Sequence, residues 1–405
     1  MSLIVQKFGG SSVASAEKML TVAKRIAKTR RKGHQVVVVV SAPGDTTDDL
    51  IAMAKKITDQ PDEREMDVLL STGEQQSIAL LALALQSLGC AAISFTGAQV
   101  GIVTDKVHTK ARIIKIQGDP IRKALKAGQV VVVAGFQGMT PDKEITTLGR
   151  GGSDLTAVAV AAALGADVCE FYKDVDGVFT ANPSMVPNAR KLSAVTYDEM
   201  LEMASAGAQV LNARSVEFAK NYGIKIHVRP TFNEKDGTLV MHETKAMEKV
   251  VISGVTYNKN EAKLTVRGVP DKPGIAANLF SKLGTAGVNV DMIIQNVGAQ
   301  GFSDISFTVD RSELKKAQKV VNDAAKVMDA AGILVDEGIA KVSVVGVGMR
   351  SHSGVAAKMF NALAEIGVNI QMISTSEIKI SVVINEKDVT RAVQGIHKKF
   401  KLDKA

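Results

Sequence analysis

A glycine-rich turn in front of a long apolar segment is the first feature of the sequence that could do chemistry. Residues 147–154 read TLGRGGSD, and the apolar run 155–164 follows directly. The glycines let the backbone turn with several N–H groups on one side, and the positive end of a following helix would face an anion there. Ser153 or Asp154 is expected at the N-cap of that helix. Alone, the turn is equally compatible with an ordinary strand-to-helix connection in which Asp154 is only a cap.

A lysine precedes a second pair of glycines near the N-terminus. Residues 3–12 read LIVQKFGGSS, which predicts a short apolar strand, and Ser11 or Ser12 is expected to open an amphipathic helix over 13–31. A strand, a lysine, glycines and a helix can hold phosphate groups, although the P-loop pattern GxxxxGK[ST] does not occur in the sequence. The alternative for Lys7 alone is a solvated residue at the end of a strand.

Four motifs in this order resemble the aspartate kinases of the amino-acid-kinase family. They are KFGGSS at 7–12, STGE at 71–74, GRGGSD at 149–154 and YKDVDGVFT at 172–180. The resemblance covers nearly the whole chain. It implies transfer of the γ-phosphoryl group of ATP to the side-chain carboxylate of L-aspartate. The product would be 4-phospho-L-aspartate, and in the family this is the first committed step toward lysine, threonine and methionine.

The resemblance also implies roles for individual residues. The catalytic residues would be Lys7 and Asp154. The aspartate-binding residues would be Ser41, Thr47, Glu74, Arg150, Gly151, Gly152 and Ser153. The nucleotide-binding residues would be Lys7, Phe8, Gly9, Gly10, Lys173, Asp174, Phe179, Thr180, Ala181, Asn182, Pro183, Ser184 and Gln209. The family usually has an aspartate where Asn182 stands and a lysine where Gln209 stands, so weaker ATP contacts are expected unless Lys7 or Lys173 supplies the charge.

Simpler interpretations remain open for three of the substrate residues. Ser41 and Thr47 lie in a polar, turn-rich segment after the strand 35–40, and they could cap the next helix instead. Glu74 could be a capping glutamate at the start of an apolar helix over 77–88. Next to a glycine and apolar neighbours its carboxylate requires a partner, and the resemblance implies that the α-ammonium of the substrate is that partner.

The implied reaction depends mainly on positive charge. The acceptor carboxyl has a reference pKa of about 3.9, so at neutral pH it is already a nucleophile and needs no general base. We therefore expect Asp154 to orient Lys7, or to help hold Mg²⁺ through water. Lys7 and Mg²⁺ would neutralise the phosphates, and the guanidinium of Arg150 matches the α-carboxylate in shape. The six histidines form no i, i+4 pair, so no protein-bound transition metal is expected.

Buried strands alternate with helices over the first half of the chain. The runs 35–40, 91–95, 129–134, 168–172 and 225–230 are rich in β-branched or apolar residues and are predicted to be strands. This alternation predicts an α/β domain with a mainly parallel sheet flanked by helices, and the resemblance implies the amino-acid-kinase fold over 1–230. The run 225–230 would be its last strand, and the polar segment 231–248 suits a linker.

The C-terminal part of the chain repeats itself. Ten of the twenty residues 274–293 are identical in 354–373, which predicts two βαββαβ, ferredoxin-like modules over 249–330 and 331–405. They resemble ACT regulatory domains, whose DxPG turn is at 271–274; the second copy has SHSG at 351–354 and is expected to bind differently or only to supply contacts. The resemblance implies lysine or threonine, or both, as inhibitory effectors, and a dimerisation module without a ligand is the alternative. The effector-binding residues would be Asp271, Gly274, Ile275, Ala276, Ala277, Asn289, Val290, Asp291, Gln295, Asn369, Ile370, Ser376 and Glu377.

Composition limits the remaining possibilities. With 405 residues, two or three domains are expected, and the net charge of +8 fits an enzyme for anionic substrates but also a nucleic-acid binder. The densest basic run, 24–32, lacks interleaved aromatic residues and falls at a predicted helix end, so no nucleic-acid partner is expected. Cys90 and Cys169 have no CxxC spacing and are expected to be buried free thiols in a reducing cytosol. No charge-free run of 18 apolar residues and no signal-like N-terminus occurs, so we expect a cytoplasmic protein without a membrane partner.

The resemblance finally implies an assembly. ACT modules pair side by side, so a homo-oligomer is expected, with or without a shorter regulatory chain that would start near Met247. Three other functions remain to be distinguished: a kinase for glutamate or acetylglutamate, a non-catalytic amino-acid sensor, and a basic nucleic-acid binder. The STGE segment and the two ACT modules argue against the first. The joint presence of Lys7, Glu74, Arg150 and Asp154 argues against the second, and salt-sensitive DNA binding would support the third.

Overall fold

The computed structural model describes residues 1–244, 250–297 and 301–404. By their contacts these residues divide into two units. Unit 1 contains 1–178, 191–204 and 209–244, and unit 2 contains 179–190, 205–208 and 250–404. Unit 1 therefore extends beyond the predicted limit at residue 230, and two short segments from within that range belong to unit 2.

Unit 1 is built from short strands and from helices that connect them. The strands are β1 (Leu3–Phe8), β2 (Gln35–Val40), β3 (Ala92–Phe95), β4 (Ile102–Thr104), β5 (Ile113–Ile116), β6 (Val130–Ala134), β7 (Gln137–Met139), β8 (Ile145–Thr147), β9 (Val168–Lys173), β10 (Ala194–Thr196), β11 (Ile226–Pro230) and β12 (Thr238–Met241). The helices up to this point of the chain are α1 (Ala16–Arg31), α2 (Thr46–Ile57), α3 (Glu63–Ser87), α4 (Asp119–Lys126), α5 (Gly152–Leu164), α6 (Tyr197–Ser205) and α7 (Ala213–Tyr222).

An eight-stranded sheet forms the centre of unit 1. Its strand order is β10-β12-β11-β9-β1-β2-β6-β3, and every neighbouring pair is parallel except β11 and β12. The valine runs of β2 and β6 are fully buried, as expected for strands covered on both faces. The mainly parallel sheet is thereby confirmed. However, β11 is not the last strand, because β12 lies within the predicted linker and pairs with it.

Two helices begin at other residues than the sequence predicts. Residues 10–12 form a 3-10 turn, and α1 begins only at Ala16, because Ser15 is the N-cap and accepts a hydrogen bond from the Lys18 N–H. The basic run does end this helix, as predicted. α3 begins 14 residues before the predicted start at Ser77, since Asp62 caps it by accepting hydrogen bonds from the N–H groups of Arg64 and Glu65.

α3 is a core helix of unit 1. Its length and composition would allow it to cross a membrane, but half of its most apolar 18-residue stretch is buried inside the protein. Ile78, Leu81 and Leu85 on that helix pack into the hydrophobic core with β2 and β6. The buried face therefore accounts for part of the apolar composition of α3, whereas Leu80 and Leu83 on the same helix are exposed.

Unit 2 contains two antiparallel four-stranded sheets. Its strands are β13 (Gly254–Asn258), β14 (Glu261–Pro270), β15 (Val290–Val297), β16 (Phe302–Asp310), β17 (Gly332–Asp336), β18 (Ile339–Val345), β19 (Met372–Thr375) and β20 (Lys379–Asn385). Its helices are α8 (Ile275–Thr285), α9 (Leu314–Val327), α10 (Val355–Glu365) and α11 (Val389–Lys399). The sheet orders are β15-β16-β14-β17 and β13-β18-β20-β19.

The two repeats form two βαββαβ modules, and the second takes one of its strands from the segment before the first. The first module runs from β14 to β17, so it extends past the predicted boundary at 330/331. The second contains β18, α10, β19, β20 and α11, and its remaining strand is β13, which precedes the first module in the chain. The repeat spacing relates equivalent residues but does not determine which sheet a terminal strand joins, which is why the sequence placed this boundary wrongly.

Candidate active site

Lys7, Asp154 and Lys173 form a charged cluster at the carboxyl ends of β1 and β9. Lys7 Nζ lies 2.5 Å from Asp154 Oδ1, and Lys173 Nζ lies 3.2 Å from Asp154 Oδ2. Lys7 and Asp154 are buried, while Lys173 is half-buried. Two ammonium groups therefore share one carboxylate, which leaves a net positive charge at the sheet edge where ligands of open α/β sheets bind.

The electrostatics of the cluster keep Asp154 ionised. Burial alone would raise the pKa of Asp154, but the ammonium groups of Lys173 and Lys7 outweigh burial and hold this pKa at about 2. Burial lowers the pKa of Lys7, and the ion pair with Asp154 opposes that effect. With so low a pKa, Asp154 does not take up a proton at neutral pH, and its geometry is that of a group that orients Lys7.

The glycine-rich turn leads directly into α5. The N-cap is Gly151 with φ +74°, so the predicted N-cap at Ser153 or Asp154 is wrong; both residues lie buried in the first turn. A Cβ on Gly151 would lie 2.2 Å from Asn212 Nδ2, which leaves no room for a side chain. Glycine is required here both by the left-handed backbone and by this close approach.

Arg150 stands in this turn, two residues before α5 begins. Its side chain is exposed, and its carbonyl oxygen accepts a 3.4 Å hydrogen bond from Asn212 Nδ2. Within the part of the chain that the structure describes, no side chain pairs with its guanidinium group. Lys7 reaches Asp154 at the first turn of the same helix, so the Lys7 ammonium and the backbone of Arg150 lie at one helix N-terminus.

Glu74 is a second buried carboxyl group, 2% exposed, on α3. Its Oε1 accepts a 3.0 Å hydrogen bond from the Ala42 N–H, just beyond β2, and its Oε2 is buried without a partner among the described residues. Burial raises the pKa of Glu74 to about 7, although the Ala42 N–H and Lys7 act in the opposite direction. The alternative of a helix-capping glutamate is wrong, because Glu74 lies in the interior of α3. An unpaired buried carboxyl oxygen suits an ammonium ligand.

Ser41 and Thr47 flank the connection between β2 and α2. The Ser41 N–H donates to the Phe8 carbonyl at 3.2 Å, and Thr47 lies in the first turn of α2. Asp45 is the N-cap of this helix and no side chain caps it, so the interpretation of Ser41 and Thr47 as caps is wrong. Both residues are half-buried beside the segment that Glu74 contacts.

The predicted nucleotide residues of unit 1 differ in which of their groups are accessible to a nucleotide. Phe8 is fully buried and stacks on Tyr172 with 4.6 Å between ring centroids, so its aromatic ring belongs to the core and its backbone is the part left for ATP. Gly10 lies so near the Ala42 carbonyl that a Cβ would approach its oxygen to 2.7 Å. Gly9, also in this loop, lies beside the Lys7 ammonium. Asp174 and Gln209 are exposed.

The predicted nucleotide segment 179–184 belongs to unit 2. Thr180 is 1% exposed; its Oγ1 accepts a hydrogen bond from the Arg190 N–H and lies 2.9 Å from His397 Nε2. Ala181 packs in the core of the second βαββαβ module. Asn182 Nδ2 donates to the Tyr257 hydroxyl at 3.2 Å, and Ser184 donates to Asn182 Oδ1. The side chains of Thr180 and Ala181 are therefore used inside unit 2, and Phe179, Pro183 and the rest of the segment stay a prediction.

Sequence reasoning missed Asp67, a fully buried carboxylate on α3. It accepts hydrogen bonds from the Thr109 N–H and the Thr147 hydroxyl, and His108 Nδ1 lies 2.8 Å from its Oδ2. Seven residues separate it from Glu74, so both lie on one face of a helix. This spacing could have revealed it, but only with the helix start at Glu63 rather than Ser77.

The predicted effector residues lie at several places in unit 2. Asp291 is ion-paired with Lys341, which also binds Glu261 Oε1 at 2.6 Å, so Asp291 is not free. Gly274 is the N-cap of α8, and residues 275–277 form its first turn. The Asn289 N–H donates to Glu313, and Gln295 Nε2 lies 3.4 Å from Ser303 Oγ. The remaining predicted positions, which form no described hydrogen bond through their side chains, are Asp271, Val290, Asn369 and Ile370.

A cavity of about 620 Å³ opens in the second βαββαβ module. Of the predicted effector residues it is lined only by Ser376 and Glu377. The other lining residues are Met349, Arg350, His352, Gly354, Val355, Ala356, Thr375 and Ile380. The SHSG turn, which lacks the aspartate and proline of the first copy, thus forms one wall of a cavity large enough for a small ligand.

The chain is similar to known proteins along its full length. A family model described as "Amino acid kinase family" matches residues 2–230, and a model described as "ACT domain" matches 264–324 and 342–400. The aspartate kinase of Pseudomonas putida is 54% identical over 404 residues, which are 100% of this chain and 98% of that protein. A crystal structure of the aspartate kinase from Synechocystis is 46% identical with a TM-score of 0.56, over 99% of this chain and 70% of that one. The aspartate kinase of Clostridium acetobutylicum is 25% identical with a TM-score of 0.79, over 98% of this chain and 100% of that one. From the site and these matches together, the chain belongs to the amino acid kinase family, in which it is an aspartate kinase with two ACT domains.

Proposed function

We propose that the chain transfers the γ-phosphoryl group of ATP to the side-chain carboxylate of L-aspartate and releases ADP and 4-phospho-L-aspartate. The observation that carries this proposal is the Lys7–Asp154–Lys173 cluster at the start of α5, directly after the turn that holds Arg150. Two anionic reactants repel each other, and the cluster and Arg150 supply the positive charge that lets both bind at one place.

The aspartate subsite combines one cation and one carboxyl group. The exposed guanidinium of Arg150 would bind the α-carboxylate, and the unpaired Oε2 of Glu74 would accept a hydrogen bond from the α-ammonium. Ser41, Thr47, Gly151, Gly152 and Ser153 would complete this subsite. The substrate's side chain is then left as the nucleophile, and it is ionised at neutral pH without help from a base.

The nucleotide subsite would use the two lysines of the cluster. Lys7 and Lys173 bind the phosphates, and the Phe8–Gly10 backbone and Asp174 lie next to them in the chain. Lys173 is available to supply the charge that Gln209 lacks. Asn182, where the family has an aspartate, bonds to Tyr257 and Ser184 instead.

Mg²⁺ would enter this site with ATP. No group of three or more carboxylate, histidine or cysteine side chains that could hold a metal occurs within residues 1–244, 250–297 and 301–404. Mg²⁺ is commonly bound by one or two carboxylates together with substrate phosphates. Asp154 stays ionised between two phosphate-binding lysines and so fits a contact to Mg²⁺ through water. The ion would neutralise phosphate charge while the chain's own residues position the reactants.

A hydroxamate assay tests the proposed reaction directly. Hydroxylamine traps an acyl phosphate, so ATP-dependent hydroxamate should form with L-aspartate and not with glutamate or N-acetylglutamate. Turnover should require Mg²⁺. Equal or greater turnover with glutamate would contradict the proposed substrate.

We further propose feedback inhibition by lysine, threonine or both through unit 2. The first-module site would use the turn 271–277 with Asn289–Asp291 and Gln295, and Asn369 and Ile370 stand at the equivalent positions of the second module. The cavity at Ser376 and Glu377 would accept a zwitterionic amino acid, because Arg350 and Glu377 offer opposite charges with Arg350 Nε 3.5 Å from Glu377 Oε2. A ligand inhibits only if it prefers an inactive arrangement. Full activity in millimolar lysine plus threonine would contradict this proposal.

The proposed setting is a cytoplasmic homo-oligomer in the pathway to lysine, threonine and methionine. The edge strands β15 and β19 expose Ile293 and Ile373, which favours pairing between ACT modules of two chains. A shorter regulatory chain would start near Met247, which lies outside the described residues. Light scattering would give the assembly, and unchanged elution on a DNA column at low salt would agree with the absence of a nucleic-acid partner.

A further inference from the structure

Asp67 has no role in the chemistry proposed above, yet it is completely buried. It lies two helical turns before Glu74 on the same face of α3. A buried carboxylate is expensive unless hydrogen bonds satisfy it, so its partners indicate what it is for.

The partners of Asp67 come from two segments that meet beside Arg150. Thr147 Oγ1 donates to Asp67 Oδ1 at 2.5 Å, and the Thr109 N–H lies 3.0 Å from Oδ1 and 3.1 Å from Oδ2. His108 Nδ1 lies 2.8 Å from Oδ2. Thr147 is the last residue of β8, three residues before Arg150.

These two segments are also packed directly against each other. Thr109 has a φ of +62°, which is unusual for a β-branched residue, and its carbonyl oxygen would lie 3.0 Å from a Cβ on Gly149. The Ala111 N–H donates to the Thr147 carbonyl at 3.0 Å. The backbone just before Arg150 thus rests on a left-handed residue that Asp67 holds in place.

We propose that Asp67 is a positioning residue for the aspartate subsite. Through Thr147 and Thr109 it fixes the turn 149–151, so that the Arg150 guanidinium points to the substrate's α-carboxylate. This inference rests on the proposed function of Arg150. One face of α3 then sets both ends of the amino acid, with Glu74 at the ammonium and Asp67, acting through Thr147, at the carboxylate.

The test uses Thr147→Val, which keeps the shape of the side chain but removes the hydroxyl that donates to Asp67. Thr147→Ser keeps the hydroxyl and is the matched control. Loss of a hydrogen bond to a buried charged group predicts a rise of about 10-fold in the aspartate KM of Thr147→Val. The ATP KM should stay within about 2-fold, and Thr147→Ser should behave like the wild type. A residue that only stabilised the fold would change both KM values or neither.

A double-mutant cycle with Arg150→Ala shows whether the effect passes through Arg150. In the Arg150→Ala background, Thr147→Val should raise the aspartate KM no further. The inference is overturned if Thr147→Val leaves the aspartate KM unchanged, if both KM values rise equally, or if the two effects add. If Arg150→Ala itself leaves the aspartate KM unchanged, the proposed subsite fails and the positioning role of Asp67 fails with it. If Arg150→Ala raises the aspartate KM as expected but Thr147→Val leaves it unchanged, only the positioning role of Asp67 is removed and the proposed subsite stands.

Discussion

Replacing Glu74 with glutamine should remove a loss of stability that the wild type suffers as the pH rises from 5 to 8. Burial raises the pKa of Glu74 from the ordinary 4.5 to about 7 in the folded chain. The folded state therefore holds this proton more tightly than the unfolded state. The stability that this tighter proton binding gives the folded state is fully present below about pH 4.5, and it is lost as the pH rises through 7. At 1.36 kcal/mol per pKa unit, the full effect is about 3 kcal/mol, of which about 2–3 kcal/mol falls between pH 5 and 8.

Urea unfolding of the wild type and of Glu74→Gln, followed by far-ultraviolet circular dichroism, measures this effect. The difference in the free energy of unfolding between the two proteins cancels the other titrating groups. Between pH 5 and pH 8, Glu74→Gln should gain about 2–3 kcal/mol in free energy of unfolding relative to the wild type. Saturating L-aspartate should reduce the loss in the wild type only, because an ammonium at Oε2 favours the ionised form. A difference that stays constant across this pH range would refute the argument that burial controls the charge of Glu74.

Three further substitutions test Lys7 and Asp154 of the cluster and Arg150 in the neighbouring turn. Lys7→Ala should nearly abolish turnover in the hydroxamate assay, because it removes the cation proposed for the phosphates, and unchanged kcat would eliminate that role. Arg150→Ala should weaken aspartate binding by about 1.5–3 kcal/mol, which raises the aspartate KM roughly 10- to 150-fold. Steady-state kinetics with wild-type values would contradict the role of Arg150 in binding the α-carboxylate. Asp154→Asn leaves two ammonium groups without a counter-charge and should lower the free energy of unfolding by about 3 kcal/mol. Since the pKa of Asp154 is lowered to about 2, this stabilisation should be present above about pH 4 and vanish as the pH falls toward 2. Acid denaturation curves that coincide for the wild type and Asp154→Asn would argue against it.

The sequence predicted those features that depend on local pattern. The valine runs of β2 and β6 indicated buried parallel strands, and the 80-residue repeat indicated two similar modules. The motifs around Lys7 and Gly149–Asp154 also indicated two glycine-lined turns, and the ion pair between Lys7 and Asp154 brings them together. These predictions succeeded because residue type and spacing carry the signals for burial, periodicity and the location of turns.

The features that the sequence did not predict depend on tertiary contacts. Residues 71–74, STGE, come before the predicted helix start at Ser77, but they lie inside α3. Gly73 belongs there because a Cβ would approach the Ala42 Cβ to 2.7 Å, so the helix needs a glycine to reach the β2–α2 connection. The pairing of β13 with β18, and of β12 with β11, likewise depends on which edge is free in the folded chain. No local pattern contains that information.

The opposite pKa shifts of Asp154 and Glu74 follow from one difference in their surroundings. Asp154 faces two ammonium groups, which keep it ionised down to about pH 2, whereas each oxygen of Glu74 has at most one N–H partner and its pKa rises to about 7. A carboxyl pair separated in this way can divide the work of a site. Asp154 then keeps the lysines in place whether or not a substrate is bound. Glu74 becomes fully charged only when a cation binds beside it. The substrate's ammonium then offsets the unfavourable free energy of a buried negative charge, whereas a ligand without an ammonium would not. Selection for an α-amino acid over a simple dicarboxylic acid such as succinate would follow from this difference, and it should weaken in Glu74→Gln.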